Sequence, residues 1–284
     1  MAQITASMVK ELREETNAGM MDCKKALTEA GGDKAEALKI LRERGLAIAA
    51  KKASRAANEG VIATVIAEDG KSAAMIEINC ETDFVAKNAQ FLKFTQDMAK
   101  KALEVESNYA ESVSDIVTAK IAEIGENILV ARSIRYVLQG AGALATYVHF
   151  GNKIGVLLEI ACEKAETTES QSFKDLTNEI TLHIAAAAPL FLDRSDIPAD
   201  VLATEREIYA NQVKDKPAQI VDKIVDGKIA KFYSQSCLVE QASILRESGE
   251  SITEMMEATG KELGDTISIR RFVRFQLGEV KSAE

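Results

Sequence analysis

The sequence lacks the features that mark several common classes of protein. Its cysteines, Cys23, Cys80, Cys162 and Cys237, are scattered and form no CxxC pair, so we expect reduced thiols rather than a disulfide framework or a zinc site. It has no apolar run of membrane-spanning length, and its start carries no signal-peptide pattern. These absences favour a soluble cytoplasmic protein without a membrane partner.

The sequence also has little of what catalysis requires. It contains two histidines, His149 and His183, and none of the G-x-S-x-G, P-loop or H-E-x-x-H motifs. His183 lies in the apolar stretch TLHIAAAAP, where a hydrogen-bonded core histidine is the expected state. We therefore predict that the protein is not an enzyme, and we assign no catalytic residue, no cofactor and no metal ligand.

Basic charge is not in excess either. The net charge is −9, from 44 acidic and 35 basic side chains, which argues against direct binding of nucleic acid. The short basic stretches LRERG, KKASR and RRFVRF keep one alternative open, an accessory protein that binds RNA or the ribosome. Arg271 and Arg274 repeat the spacing of Arg132 and Arg135, however, and charge repeated at matching positions favours ion pairing within the fold or a solvated strand face.

Residues 1–50 are predicted to form a small module of three helices. Asp22 is placed to begin the second helix, and Asp33 is the candidate N-cap of the third. Gly45 is placed to end that helix. Residues 51–59 are small and polar and are predicted to form a linker or a linking helix. The module has few large apolar residues and is expected to gain burial from a partner surface.

After Gly60 the hydrophobic pattern changes to period two, and the sequence then repeats itself. The stretch GVIATVIAEDGKSAAMIEINCE aligns without a gap with GALATYVHFGNKIGVLLEIACE, which begins at Gly142, and GENILVARSIRYVL aligns with GDTISIRRFVRFQL. We predict an α+β core with an internal duplication, made of halves 60–140 and 141–284. Each half should be a three-stranded antiparallel sheet with helices on one face.

The second half contains an insertion. Its apolar residues follow helical spacing on both sides of Asp215-Lys216-Pro217, which is a turn signal. Residues from about 190 to 235 should therefore form a projecting antiparallel helical hairpin of the coiled-coil type.

One turn differs between the two halves. They agree up to Glu81 and Glu163; then the first reads TDFVAKN and the second KAETTES, so that Glu166 stands where the first half has Phe84. The fold can therefore be built without Phe84. Its ring either is offered to a partner or fills a local gap that the second half lacks.

At this point the sequence resembles the bacterial elongation factor Ts family, over nearly the whole chain and in order. The stretches that carry the resemblance are ITASMVKELREET, MMDCKKAL, TDFVAKN, IGEN, YVHFGNKIGVL, KFYSQSCLVEQ and RFVRF. Members of this family are translation factors that exchange guanine nucleotide on elongation factor Tu. The resemblance implies that elongation factor Tu is the partner and that the helical module is ubiquitin-associated-like and docks on the partner's nucleotide-binding domain.

The resemblance also implies roles for individual residues. Thr82, Asp83, Phe84 and Val85 would reach the partner's Mg²⁺ site, with the Phe84 ring wedged between partner helices and Asp83 disturbing the Mg²⁺ shell. Residues in stretches that the family uses for docking are Met20, Met21, Lys24, Lys52, Ile124 and His149. Two alternatives remain for these: Met21 could pack in the core of the small module, and His149 could be structural.

Overall fold

The computed structural model describes residues 4–16, 18–214 and 217–279. The helices are α1 (Ala6–Thr16), α2 (Met20–Glu29), α3 (Lys34–Lys52), α4 (Asp83–Ala86), α5 (Ala89–Ala102), α6 (Tyr109–Ser112), α7 (Ser114–Ile124), α8 (Gln171–Ala187), α9 (Ala199–Asn211), α10 (Ala218–Ser236) and α11 (Ile252–Leu263). The strands are β1 (Glu59–Ile66), β2 (Ser72–Cys80), β3 (Ile128–Val137), β4 (Gly142–Val148), β5 (Ile154–Ala161) and β6 (Ser268–Gln276).

Helices α1 to α3 pack around a small core of their own. Its buried members are Val9, Leu12, Cys23, Ala26, Leu27 and Ala37. Asp33 caps α3 as predicted, since its Oδ1 accepts a hydrogen bond from the Glu36 N–H at 2.9 Å. Helix α2 begins at Met20, earlier than the predicted start at Asp22, which instead lies in its acidic first turn.

The prediction that Gly45 ends the third helix is wrong, because α3 continues to Lys52. Gly45 faces α7, and a Cβ there would lie 3.7 Å from Ala122 Cβ and 3.9 Å from Thr118 Cγ2. The residues after Gly45, LAIAAKK, are mostly good helix formers and carry the helix onward. The first two residues of the predicted linker are therefore helical.

The strands form two separate antiparallel sheets, ordered β1-β2-β3 and β4-β5-β6. The register shifts between Glu77 and Ile78 in the first sheet and between Glu159 and Ile160 in the second, at positions that the sequence alignment pairs. The α+β class with antiparallel sheets is thus confirmed.

Helices cover one face of each sheet, and the opposite faces meet each other. Helices α5 to α7 enclose the first core and helices α8 and α11 the second. The buried residues between the two sheets are Ile62, Ala73, Met75, Tyr136, Leu144, Leu157 and Phe275.

Two ion pairs with buried glutamates accompany this sheet-to-sheet contact. Arg132 Nε donates to Glu77 Oε2 at 2.8 Å, and Arg271 Nε donates to Glu159 Oε2 at 2.7 Å, with both glutamates fully buried. The structural ion pairing predicted for these arginines is confirmed.

Each of these arginines also reaches across to the other half. Arg132 lies 4.0 Å from the centre of the Phe275 ring, and Arg271 lies 4.0 Å from the centre of the Tyr136 ring. The NH2 group of Arg271 donates to the Val137 carbonyl at 3.0 Å. The two halves are therefore joined by reciprocal contacts.

The insertion forms helices α9 and α10, which lie antiparallel. Arg206 on α9 pairs with Asp226 on α10 at 3.1 Å, and α9 has no buried residue. Asp215 and Lys216 of the predicted turn lie outside the described residues. Among the residues that are described, none of the helices combines the length and apolar character needed to cross a membrane.

Candidate functional site

The stretch that differs between the halves forms a single helical turn at the end of β2. Strand β2 ends at Cys80, and Thr82 caps α4 by accepting a hydrogen bond from the Val85 N–H at 3.3 Å. Asn88 caps the next helix in the same way, with the Gln90 N–H donating to its Oδ1 at 2.8 Å. The turn is therefore a capped helical element, followed directly by a second capped helix.

Within this turn, Phe84 points outward. Its side chain is 82% exposed, whereas Ala86 is buried and Val85 packs against the first core. The alternative in which Phe84 fills a local gap is therefore wrong. An aromatic ring of this size normally buries most of its surface, so a displayed ring is an informative exception.

Glu126, which follows α7, fixes the residues that lead into the Phe84 turn. Its Oε2 accepts hydrogen bonds from the Glu81 and Thr82 N–H groups at 3.1 Å each, and its Oε1 accepts one from Thr82 Oγ1 at 2.7 Å. Glu81 in turn accepts from the Asn127 N–H at 2.6 Å, which lowers the pKa of the Glu81 carboxyl. Charge-assisted bonds of this kind hold the base of the Phe84 turn in place.

The second half has the same brace without the displayed aromatic. Asp265 accepts hydrogen bonds from the Glu163 and Lys164 N–H groups at 3.0 and 3.1 Å, and from the Thr167 hydroxyl. The Thr167 bond is the main cause that lowers the pKa of Asp265 to about 2. Sequence analysis did not single out Glu126, although its place in IGEN opposite the aspartate of LGDT was an available signal.

Asp83 is engaged by a lysine of its own helix turn. Lys87 Nζ lies 2.7 Å from Asp83 Oδ2, and this hydrogen bond lowers the pKa of Asp83 and raises that of Lys87. The carboxylate is therefore charged at neutral pH. The pair is exposed, so it opens at small cost.

The predicted docking residues on α2 share an exposed face. Met20 and Met21 are 54% and 62% exposed, and Lys24 follows one turn later on the exposed side. Cys23 and Leu27 fill the buried side of the same helix. The alternative in which Met21 packs in the core of the module is therefore wrong.

Lys52 and Ile124 come together near the braced turn. Lys52 Nζ donates to the Gly125 carbonyl, just after α7, and Ile124 packs partly buried against the first core. In the second half, the carbonyl of Gly264, which matches Gly125, accepts a hydrogen bond at 2.6 Å from a lysine at a different position, Lys164. Lys52 thus links the end of α3 to the residue after α7, and Ile124 packs at the same end of α7.

His149 lies exposed in the turn after β4, where its Nδ1 is 2.9 Å from the Tyr147 hydroxyl. The next residue, Phe150, is 96% exposed. Sequence analysis did not single out Phe150, although the ungapped alignment of the two halves sets it against Glu68, which was an available signal. His183 is buried and bonded to Gln241 at 2.8 Å, as predicted.

The site is thus a displayed surface: one braced aromatic turn, a second turn with an exposed phenylalanine, and an exposed methionine pair on a helical module. No group of three or more His, Cys, Asp or Glu within the ranges described is placed to hold a metal ion. Fold and site together define a class: two-sheet α+β proteins with a displayed aromatic turn and an N-terminal group of helices.

Comparison with known proteins identifies the family. The family model for elongation factor Ts matches residues 81–279. The chain is 43% identical over 97% of its length to elongation factor Ts of Clostridium botulinum (strain Alaska E43 / Type E3), of which 93% is covered. Identity is 44% to that of Clostridium perfringens (strain SM101 / Type A) and 41% to that of Trichlorobacter lovleyi (strain ATCC BAA-1151 / DSM 17278 / SZ), with the same coverage. The chain belongs to the elongation factor Ts family and is a translation elongation factor.

Proposed function

We propose that this protein is a guanine-nucleotide exchange factor that binds elongation factor Tu carrying GDP and promotes release of the GDP. The observation that carries the proposal is Phe84, held 82% exposed on a turn whose base is fixed by Glu126. A displayed ring on a braced support can enter a partner without prior ordering, which keeps the entropic cost of binding low.

The exchange step follows from what such a ring and its neighbour can do. The Phe84 ring enters between helices of the partner near the nucleotide, and Asp83, released from Lys87, disturbs the ligands of Mg²⁺. Because Mg²⁺ bridges phosphate oxygens and neutralises their charge, its displacement raises the free energy of bound GDP. The protein and the nucleotide then weaken each other's binding to elongation factor Tu by the same ratio. Incoming GTP can therefore release the protein from elongation factor Tu.

The N-terminal helices supply docking area in this proposal. They are a ubiquitin-associated-like module that rests on the partner's nucleotide-binding domain through Met20, Met21 and Lys24. Exposed methionines suit this task, because their side chains adapt to an irregular surface. Lys52, Ile124 and His149 would complete the contact nearer the Phe84 turn.

We also propose that the core arose by internal duplication. Support comes from the common strand order, the register shift at matching positions, and the acidic brace that Glu126 and Asp265 provide in the two halves. The displayed turn would then be a feature that only the first half acquired.

The proposed function involves no covalent chemistry and no direct contact with nucleic acid. The protein would act in the cytoplasm. The rival role of an RNA- or ribosome-binding accessory protein rested on the basic stretches LRERG, KKASR and RRFVRF. The arginines of RRFVRF are repeated in the first half. Two of them, Arg135 and Arg274, donate to the carbonyls of Leu103 and Ala185 at 2.6 and 3.0 Å. Side chains engaged in this way offer little free charge to phosphates.

The test is stopped-flow release of a fluorescent GDP from elongation factor Tu. The wild-type protein should accelerate release strongly, and Phe84→Ala should lose most of that acceleration. Ile66→Ala, an exposed apolar residue at the far end of β1 from the Phe84 turn, is the control and should match wild type. No acceleration by the folded wild-type protein would refute the proposed function.

A further inference from the structure

We propose that Phe150 is a second apolar anchor for the same GTPase partner, so that two displayed rings at one edge of the molecule enter it together. This inference rests on the proposed function and adds to it a residue outside the Phe84 turn. Phe84 would act on the nucleotide site, whereas Phe150 would hold the complex together.

The first observation is that Phe150 is displayed by an ordered turn. The ring is 96% exposed. The turn around it is closed by two backbone hydrogen bonds of 2.9 Å, from the His149 N–H to the Ile154 carbonyl and from the Asn152 N–H to the His149 carbonyl. Gly151 and Asn152 both adopt positive φ, of 87° and 57°, which these two residue types tolerate. The ring is thus presented to solvent by a turn of fixed shape.

The second observation is that this turn is attached to the start of β1. The Ile62 N–H donates to the Asn152 carbonyl at 2.8 Å, and Lys153 Nζ lies 3.0 Å from Glu59 Oε2. Glu59 pairs with Cys80, the last residue of β2, so the Phe84 turn begins beside it.

The two turns also share Glu59 as an electrostatic neighbour. The pKa of Lys87, in the Phe84 turn, is raised chiefly by its hydrogen bond to Asp83 and further by the negative charge of Glu59. Glu59 therefore acts on Lys87 of the Phe84 turn and pairs with Lys153, which follows the Phe150 turn. With one strand between them, the two turns are on the order of 15 Å apart. A standard protein–protein interface of about 800 Å² per partner spans that distance.

The charges around the two rings indicate a protein partner. Asp83 and Lys87 accompany Phe84, and Glu59 and Lys153 accompany Phe150, so acidic and basic groups alternate. A membrane-binding edge would instead carry mainly basic residues. Aromatic rings surrounded by mixed polar groups are the usual composition of a protein interface with anchor residues. Since one ring already belongs to the proposed elongation factor Tu contact, the adjacent ring is covered by the same partner.

The experiment separates binding from nucleotide release. Wild type, Phe150→Ala, Phe84→Ala and Ile66→Ala are each titrated against elongation factor Tu carrying fluorescent GDP. Phe150→Ala should raise the dissociation constant by about ten- to a hundredfold, mainly through faster dissociation. At saturating concentration it should still release GDP at near the wild-type rate, whereas Phe84→Ala should not. Phe150→Leu should recover most of the affinity, because it restores apolar area.

The outcomes distinguish the two proposals. Failure of the wild-type protein to accelerate release would refute the proposed function itself. If wild type and Phe84→Ala behave as proposed while Phe150→Ala binds like Ile66→Ala, the Phe150 inference is wrong. It is also wrong if Phe150→Ala changes only self-association in sedimentation velocity, because a second copy of the chain would then be the occupant. Melting curves of Phe150→Ala should match those of wild type, since the side chain contributes almost no buried area.

Discussion

At Phe84 the chain places a large apolar side chain where its own fold gains nothing from it. The matching position in the second half is Glu166, in a short 3₁₀ helix, Ala165–Glu169, that follows the same kind of strand. By contrast, Phe91 on α5 and Phe173 on α8 occupy matching positions in the two halves and are both fully buried. The same residue type therefore serves the core at one pair of positions and the surface at another.

This difference predicts how truncation affects stability. Phe84→Ala should change the free energy of unfolding by no more than about 0.5 kcal/mol, as for other exposed side chains. Phe91→Ala, the matched control, should cost about 3–5 kcal/mol, because it empties a core site. Urea unfolding followed by circular dichroism measures both. A large loss at Phe84 would show that the ring packs in the fold.

His183 offers a second prediction, which concerns pH. Its Nε2 is 2.8 Å from Gln241 Oε1 and its Nδ1 accepts from the Ile244 N–H at 3.3 Å, so the ring is neutral with its proton on Nε2. Burial lowers the pKa of His183 from its ordinary 6.5. The unfolded chain therefore binds a proton at a pH where the folded chain does not, and stability falls as pH drops below about 6.5.

The measurement is urea unfolding between pH 7.5 and 5.5, above the range in which carboxylates titrate. The wild-type midpoint should fall across this window, and His183→Gln should show a flatter dependence. His149→Gln, which removes an exposed imidazole, is the control and should retain the wild-type slope. Equal slopes in all three proteins would contradict the assignment.

At the scale of elements, the same hydrogen-bonding arrangement occurs at Glu126 in the first half and at Asp265 in the second. Glu126 and Asp265 both follow a helix that ends in glycine, and both accept backbone N–H groups at the end of a central strand. Only the first of these braced turns displays an aromatic ring.

The two braces can be compared directly. Glu126→Ala leaves two backbone N–H groups and the Thr82 hydroxyl without their acceptor and should cost about 1–3 kcal/mol of stability. It should also slow GDP release, because the Phe84 turn loses its fixed base. Asp265→Ala should lower the unfolding midpoint too, yet leave exchange unchanged. Equal effects of the two variants on exchange would show that Glu126 acts only through global stability.

At the scale of the whole molecule, the two halves are joined by buried charge as well as by apolar contact. Glu159 is fully buried, and besides Arg271 it accepts a hydrogen bond from the Gln139 N–H at 2.8 Å. Gln139 comes from the end of the first half, so this glutamate is satisfied by both halves. Fully bonded buried ion pairs favour one arrangement over alternatives, although they add little net stability.

Breaking one such pair should therefore be costly. Arg271→Met leaves the buried Glu159 carboxylate with only the more distant Arg270, 3.8 Å away, as its charged partner and should destabilise the protein by about 3 kcal/mol. Lys93→Met, which removes an exposed pair with Asp97, is the control and should cost less than about 1 kcal/mol. Chemical denaturation measures both, and similar midpoints for the two variants would refute the role of the buried pair.

Much of the fold was present in local patterns. Period-two hydrophobicity, helix caps such as Asp33 and the internal repeat predicted the α+β class, the two antiparallel sheets and the helices of the insertion. The Phe84 turn was also singled out at this level, since the halves diverge in sequence at TDFV, whereas the docking residues were assigned only through the family resemblance. Such patterns depend on neighbours a few residues away or on a direct match between segments, so no tertiary information is needed to recognise them.

Other properties were decided by contacts between distant residues. Gly45 looked like a helix end, but it lies within α3 and packs against α7, while the helix formers after it carry the helix onward. Whether Phe84 and Met21 face solvent or core depended on which space other elements had already filled. Glu126 belongs to the site because its carboxylate bonds to the residues that follow β2, and Phe150 lies near it because its turn is attached to β1. A single sequence specifies side-chain chemistry and local periodicity, whereas the direction a turn residue faces is set by packing that only the folded chain creates.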